Sequence, residues 1–456
     1  MIAARLGRAA LTLAAISAGA FAVVAPPERC PSLTTAEIRT SAQAAVDWFA
    51  RIQDDDGSWL YLYDAEEDSS PPGYNEVRHA GVMMGLYQAA AAGLPGALAS
   101  ADLGLGWARE RLIERDGWAA LEYEGEVKTG ATALLAAGLS IRREATGARR
   151  YDRLLRRLGR FLVAQTEPSG AVLASYDTAR EAPEPGEYSK YYTGEAYWAL
   201  ARLHRDFPGE GWGEIADRIG AYLATERDDA EDHWPPVPDH WAAYGAAETV
   251  RFPQRARSAL GDDEADYARD QAELFGPQAR WIAQRFGPWG ELVRGTYTPR
   301  GGGYGVTSEA LTGWWLAAQA EPGLAGLRDP IAARATCVAA LAIEAQSDRR
   351  EAAGSADPDR VEGAWFIDGE TRMDDQQHAL AGLLRTIPIV EAGAVSSTDS
   401  GDDVPSAWLW ALVLVVLLNP ARAAFAVPRA GRSRGEVLGL AAAGGAIGGL
   451  LVSSAA

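Results

Sequence analysis

The sequence predicts an all-α fold, a closed double ring of six helical hairpins, the (α/α)6 toroid. Three observations predict it. Between the two ends of the chain, segments of helical periodicity follow one another with no good strand. These segments alternate in character: one set is amphipathic and charged on one side, the other is apolar almost all round and rich in small residues. Each member of the second set opens on polar or ionisable residues. An amphipathic helix faces water on one side, whereas a helix that is apolar all round is covered on both. Six of each, alternating every 50 to 70 residues or so, make a ring of hairpins with outer and inner helices.

The first outer helix is announced by Thr34-Thr35-Ala36-Glu37, a capping box, and carries Ile38, Ala45, Val46, Phe49 and Ile52 on one face. Later outer helices are expected to begin near Ala101, Arg149, Trp212, Glu264 and Pro330. The inner set comprises NEVRHAGVMMGLYQAA from Asn75, GEVKTGATALLAAGL from Gly125, SKYYTGEAYWALARL from Ser189, PDHWAAYGAAETV from Pro238, YGVTSEALTGWWLAAQA from Tyr304 and RMDDQQHALAGLL from Arg372. In a ring their polar openings converge on one face and form a funnel. Gly301-Gly302-Gly303 is expected to be a turn or lid beside its mouth.

Residues 1–27 place Arg5 and Arg8 before an apolar stretch and read as a secretory signal or signal anchor. The toroid is expected over 30–390 and a polar linker over 391–405. Residues 406–427, AWLWALVLVVLLNPARAAFAV at their heart, predict a transmembrane helix. A basic loop follows at 428–436, then a second apolar segment at 437–454. Arg422, Arg429, Arg432 and Arg434 assign that loop to the cytoplasm, so the predicted location is the cytoplasmic membrane with the toroid on its extracytoplasmic side.

Hydrophobic residues at 48% and charged residues at 23% are those of a globular chain with a real core. A net charge of −19 excludes nucleic acid as a partner, since phosphate binding needs a basic surface. With Cys30 and Cys337 the only cysteines, a thiolate zinc cluster and a disulfide framework are both excluded. Neither a metal nor another cofactor is expected.

The run Gln53-Asp54-Asp55-Asp56-Gly57-Ser58-Trp59 resembles the Q-x3-G-x-W motif of squalene-cyclase and prenyltransferase toroids, and Gln165 to Gly170 resembles a degenerate second copy. Physically it is a helix end closed by a Gly turn, with the Trp packing back on the neighbouring hairpin. KTGATALL, KYYTGEAYWAL and QHALAGLL are similar in layout to inner-helix openings of six-hairpin toroids that process carbohydrates: sugar epimerases, polysaccharide lyases and glycosidases. That resemblance implies an enzyme acting on a carbohydrate or envelope glycan by acid/base chemistry. Terpene chemistry fares worse, because the D-x-D-D acid of class II cyclases is missing and Asp228 to Asp232 reads as a solvated connector.

The candidate site is the set of ionisable residues at the inner-helix openings: Glu76, Arg78, His79, Glu126, Lys128, Tyr191, Tyr192, Glu195, Asp239, His240, Tyr304, Glu309, Arg372, Asp374, Asp375 and His378. Three of the chain's five histidines stand there. Glu195, His240 and His378 are the first choices for proton transfer, with Tyr192 and Glu126 next. Arg78, Lys128 and Arg294 are expected to hold anionic groups, and Tyr191, Glu309 and Asp374 to complete substrate binding. Acidic residues at helix starts also serve as caps and dipole partners, which explains a residue such as Asp374 without catalysis. The ring predicts that Glu126, Tyr192, Glu195, His240, Glu309 and His378 line one cavity. The competing reading is a noncatalytic ligand-binding or assembly module of a membrane complex, motivated by the Gly/Ala-rich C-terminal run.

Overall fold

A computed structural model describes residues 30–252, 260–284 and 299–393, with residues 12, 13, 15–17 and 28 before them. Packing separates one large unit, Arg29–Ala283 with Thr298–Thr398, from a second one made of Met1–Glu28, Gln284–Tyr297 and Asp399–Ala456. The fold below is that of the large unit. The signal or anchor segment, the predicted membrane segments with their basic loop, most of the linker, and Arg294 lie outside the described residues. Among the described residues no helix is long and apolar enough to cross a membrane.

Twelve long helices alternate outside and inside along the described chain. They are α1 (Thr35–Arg51) and α2 (Glu76–Ala91), α3 (Ala97–Glu110) and α4 (Thr129–Thr146), and α5 (Asp152–Gln165) and α6 (Tyr192–Asp206). The second half has α7 (Trp212–Thr225) and α8 (His240–Thr249), α9 (Asp262–Ala283) and α10 (Gly301–Ala320), and α11 (Arg328–Ala345) and α12 (Met373–Glu391). The even-numbered helices form the inner ring: each packs on the next, and α12 packs back on α2. Composition dictates the layering. Every residue of α4 from Thr129 to Arg142 is buried, whereas α5 buries Leu155, Leu158, Gly159, Phe161, Leu162 and Gln165 and turns its arginines to water. The capping box at Thr34 and Glu37 starts α1 as expected.

Connectors from an outer to an inner helix are long, and those from an inner to the next outer helix are mostly short. The long ones share the face where the inner helices begin, and they carry short strands that the sequence reading did not anticipate. These are β1 (Leu62–Asp64), β2 (Leu112–Arg115), β3 (Trp118–Leu121), β4 (Glu126–Lys128), β5 (Ser175–Asp177), β6 (Ala182–Pro183) and β7 (Glu370–Arg372). Two to four residues are too few for an alternating pattern to show. β2 and β3 form a hairpin, β4, β5 and β6 a three-stranded sheet, and β1 pairs antiparallel with β7, so the first and last connectors meet as the first and last inner helices do.

The glutamine motif closes three hairpins. Gln53 bonds the carbonyls of Gly57 and Ser100, Gly57 takes φ +91°, and a Cβ there would lie 2.3 Å from the Leu103 carbonyl oxygen. The outer edge of the Trp59 ring packs against Gly104 of α3, where a Cβ would lie 2.1 Å from it. Gln165 with Gly170 repeats the turn, and so does Gln346 with Gly363 and Trp365, a copy hidden in sequence by the residues inserted between its parts.

Three further expectations are corrected. Gly301-Gly302-Gly303 is the first turn of α10, held against Trp365 and Asp375, not a free lid. Asp228 and Asp229 belong to a one-turn helix, Arg227–Ala230, whose Arg227 is fully buried. The two cysteines, too few for a framework, make one disulfide, Cys30–Cys337, that fastens the segment before α1 to α11.

Candidate active site

The site is built where α8, α10 and α12 begin. Asp239 caps α8 by accepting from the Ala242 amide at 3.0 Å, and Arg227 holds its other oxygen at 2.7 Å in an ion pair with both side chains out of water. This fixes His240 as the first residue of α8. Its side chain is buried, and neither ring nitrogen has a hydrogen-bond partner among the described residues. The ring lies edge-on to His378 with centroids 5.1 Å apart, beside Trp241 at 4.4 Å and Tyr191 at 6.0 Å.

Glu309 stands two turns into α10, because that helix begins at Gly301 and not at Tyr304 as the sequence suggested. It is fully buried, accepts from the Tyr244 hydroxyl at 2.6 Å, and meets His378 Nδ1 at 2.7 Å. Gly305, one turn earlier, makes this possible: a Cβ there would lie 2.0 Å from the His378 carbonyl carbon, so α10 and α12 touch backbone to backbone.

The pKa values of the two histidines are shifted in opposite directions. Burial, and then the neighbouring His378, push the pKa of His240 well below its ordinary value and leave it neutral. Burial also opposes charge on His378, but the Glu309 carboxylate, with Asp374 and Asp375 behind it, outweighs burial and holds its pKa above the ordinary value. One ring is a free base and the other holds its proton more tightly.

Glu195, in the first turn of α6, is buried, and burial followed by the charge of Asp239 raises its pKa to about 8. It is therefore a carboxylic acid at neutral pH, with Oε2 unpartnered among the described residues. Gly130 of α4 leaves the space that Glu195 and Tyr192 occupy, for a Cβ there would stand 2.2 Å from Glu195 Oε2 and 2.4 Å from the Tyr192 ring. Burial raises the Tyr192 pKa and keeps its hydroxyl protonated.

Other expected site residues are committed elsewhere. Asp374 binds Arg372 through two bonds of 2.6 and 3.0 Å and pairs with Arg78 at 3.1 Å, while Arg78 also reaches Tyr61. Lys128 pairs with buried Glu76 at 3.0 Å. Arg78 and Lys128, two of the three cations expected to hold an anionic substrate, are thus already neutralised. Glu126 is half-buried on β4 opposite Asp177, ahead of its inner helix instead of on it. His79 sits between the Tyr74 hydroxyl at 2.7 Å and the Gly104 carbonyl at 2.9 Å, stacked on Trp107, and burial drives its pKa to about 3. It is a packing residue of the first hairpins. Tyr304 is buried in the core.

Of the six residues expected to line one cavity, the structure brings His240, Glu309 and His378 together and places Tyr192 and Glu195 on the adjoining α6. Glu126 stands apart. Sequence reasoning missed Tyr244 and Gly305. The spacing His240 to Tyr244, one helical turn, places both on one face of α8 and was the available signal. Donor atoms of His240, Glu309 and His378 also lie within 4.8 Å of one another. Two imidazoles and a carboxylate suit a first-row divalent metal, but such an ion would have to displace the His378–Glu309 hydrogen bond.

The fold is the (α/α)6 toroid. The cellobiose 2-epimerase of Spirochaeta thermophila is similar over 78% of this chain and 98% of its own, with a TM-score of 0.53 and 14% identity. A D-mannose isomerase matches over 78% and 97% (TM-score 0.53, 12% identity). An α-1,6-mannanase of glycoside hydrolase family 76 from Salegentibacter matches over 78% and 100% (TM-score 0.50, 14% identity). At such identities the likeness is one of fold. No protein-family model and no curated protein sequence matches the chain.

Proposed function

We propose that this chain is an extracytoplasmic carbohydrate-active enzyme that moves a proton on a sugar carbon, as an epimerase or an aldose–ketose isomerase. The observation that carries this reading is the pair His240 and His378, rings 5.1 Å apart, with burial lowering the pKa of one and the Glu309 carboxylate raising that of the other. In an open-chain sugar, His240 takes the proton from the carbon next to the carbonyl. The C–H electron pair becomes the C=C bond of an enediol, and His378 gives its proton to the carbonyl oxygen. Reprotonation of the same carbon on its other face by a proton carried in by water, with His240 releasing its own to solvent, yields the epimer, and transfer of the His240 proton to the former carbonyl carbon yields the isomer. As the product carbonyl forms, an enediol hydroxyl gives its proton back to His378, whose charged form the Glu309 carboxylate stabilises, and Glu195, a neutral acid, donates a hydrogen bond to a sugar oxygen. The names of two neighbours of like fold, an epimerase and an isomerase, point the same way. Hydrolysis calls for two carboxylates facing the substrate, whereas Asp239 is held by Arg227 and the Ala242 amide.

The test is proton exchange. Glucose, mannose and cellobiose are incubated with the protein in D2O, and loss of the C2 proton and appearance of epimer or ketose are followed by NMR. Exchange is expected with at least one sugar and should fall about 100-fold or more in His240→Ala and His378→Ala. No exchange with any sugar, or exchange unaltered in both variants, refutes the reading. An oxidising, extracytoplasmic location is supported by the Arg-led N-terminal segment, the arginines after residue 420, and the Cys30–Cys337 bridge. A reporter active only outside the cytoplasm, fused after residue 393, should be active. An inactive fusion rejects that location.

A further inference from the structure

Among the described residues the exposed large hydrophobic side chains are Leu13, Ile16, Leu103, Tyr191 and Trp234. The two aromatic ones stand in the connectors immediately before α6 and α8, inner helices that pack on each other. Tyr191 is 39% exposed with its ring centroid 6.0 Å from that of His240, and Trp234 is 89% exposed. Trp234 precedes His240 by six positions, at most about 22 Å of chain.

Trp234 does not ride on a loose loop. Before it, Glu231 bonds the Tyr222 hydroxyl at 3.0 Å and His233 at 3.1 Å. After it, Pro235 and Pro236 stiffen the chain, and the Val237 carbonyl accepts from Gln271 at 2.9 Å and Arg227 at 3.3 Å. A fixed backbone presents a bare indole face to water, an arrangement whose cost is recovered when an apolar face covers the ring.

We propose that Tyr191 and Trp234 form an outer subsite that stacks the distal rings of a neutral oligosaccharide whose reacting end lies against His240 and His378. This rests on the proposed function and adds that the substrate is a chain, not a single sugar. A sugar ring has an apolar C–H face that suits an aromatic platform. Asp228, Asp229, Glu231 and Asp232 beside Trp234 repel acidic glycans and anionic lipid surfaces alike, and Arg78 and Lys128 are already paired with carboxylates.

The experiment measures dissociation constants by calorimetry for glucose, cellobiose and cellotetraose, and for mannose and α-1,6-mannotriose, with the wild-type chain and Trp234→Ala. In the wild type, affinity should rise about fivefold to tenfold from one ring to three or four in at least one series. In Trp234→Ala that ratio should fall to about one while the melting midpoint stays unchanged, as befits an exposed side chain. A ratio retained in Trp234→Ala overturns the subsite. If deuterium exchange still depends on His240, the proposed function stands without it. Failure of the wild type both to bind and to exchange any of these sugars overturns the two together. Trp234-dependent sedimentation with phosphatidylcholine vesicles, without a ring-number dependence, overturns the subsite in favour of a membrane contact.

Discussion

Gly305→Ala is the smallest change that tests how the site is assembled. Its methyl group would lie 2.0 Å from the carbonyl carbon of His378, 2.1 Å from its oxygen and 2.5 Å from the Ala379 nitrogen. All three are backbone atoms inside a helix, so no side chain can swing aside. Restoring ordinary contact requires α10 and α12 to part by about 1.5 Å. The Glu309–His378 hydrogen bond, 2.7 Å long, would then pass its limit of about 3.2 Å. Overpacking should cost about 1–3 kcal/mol. Loss of the charge-assisted bond adds about 1.5–3 kcal/mol. Two assays read the outcome: urea unfolding for stability, and an NMR titration of His378, whose midpoint should fall as Glu309 recedes. Turnover, once a substrate is in hand, should drop about 100-fold. Gly106→Ala in α3 is the control, since nothing stands within 4 Å of the new methyl group. It should stabilise the chain by about 0.5–1 kcal/mol. A Gly305→Ala protein within about 0.5 kcal/mol of wild type and with an unmoved His378 midpoint would refute the reasoning, because substitutions that disturb no contact fall in that range.

Glu195 makes stability depend on pH. Its pKa rises from 4.5 to about 8 on folding, so its contribution is complete below pH 4.5 and is lost as pH climbs through 8. At 1.36 kcal/mol per unit this is about 5 kcal/mol, and Glu195→Gln should flatten the stability profile between those limits; an unchanged slope in urea titrations counts against it. Arg227→Met leaves Asp239 buried without its cation and should cost about 3–5 kcal/mol, whereas a loss under about 1 kcal/mol would mean that the pair does not hold α8. Reducing Cys30–Cys337, which closes a loop of 307 residues, should cost about 2–5 kcal/mol, read as a lower melting midpoint in dithiothreitol. An identical midpoint with and without reductant contradicts that stapling role.

How much of this was legible in the sequence follows from the length scale of each feature. The alternation of outer and inner helices was readable because it repeats over ten or more residues per helix and because burial on both sides leaves no polar face. The strands escaped notice because two to four residues hold no period. Gly301 to Gly303 looked like a loop on propensity alone, yet packing against Trp365 and Asp375 overrides propensity there. That misjudged start, three residues late, also put Glu309 nearly a turn too close to the rim, when it stands two turns into α10 and meets His378 there. His79 and His240 look alike as histidines at inner-helix openings. What separates them is tertiary: Tyr74 and the Gly104 carbonyl satisfy one, and nothing among the described residues satisfies the other.

The closure of α12 on α2 has a consequence in time. The apolar face of α2 is finished by residue 91, but the helix that covers one side of it is complete only at residue 391. At a synthesis rate of about 5–20 residues per second, that face waits roughly 15–60 s for its neighbour. A helix such as α4 has both inner neighbours within about a hundred residues of chain; α2 does not. The newborn chain is therefore an open crescent with one sticky end, and the moment at which Cys337 can reach Cys30 marks its passage to a ring.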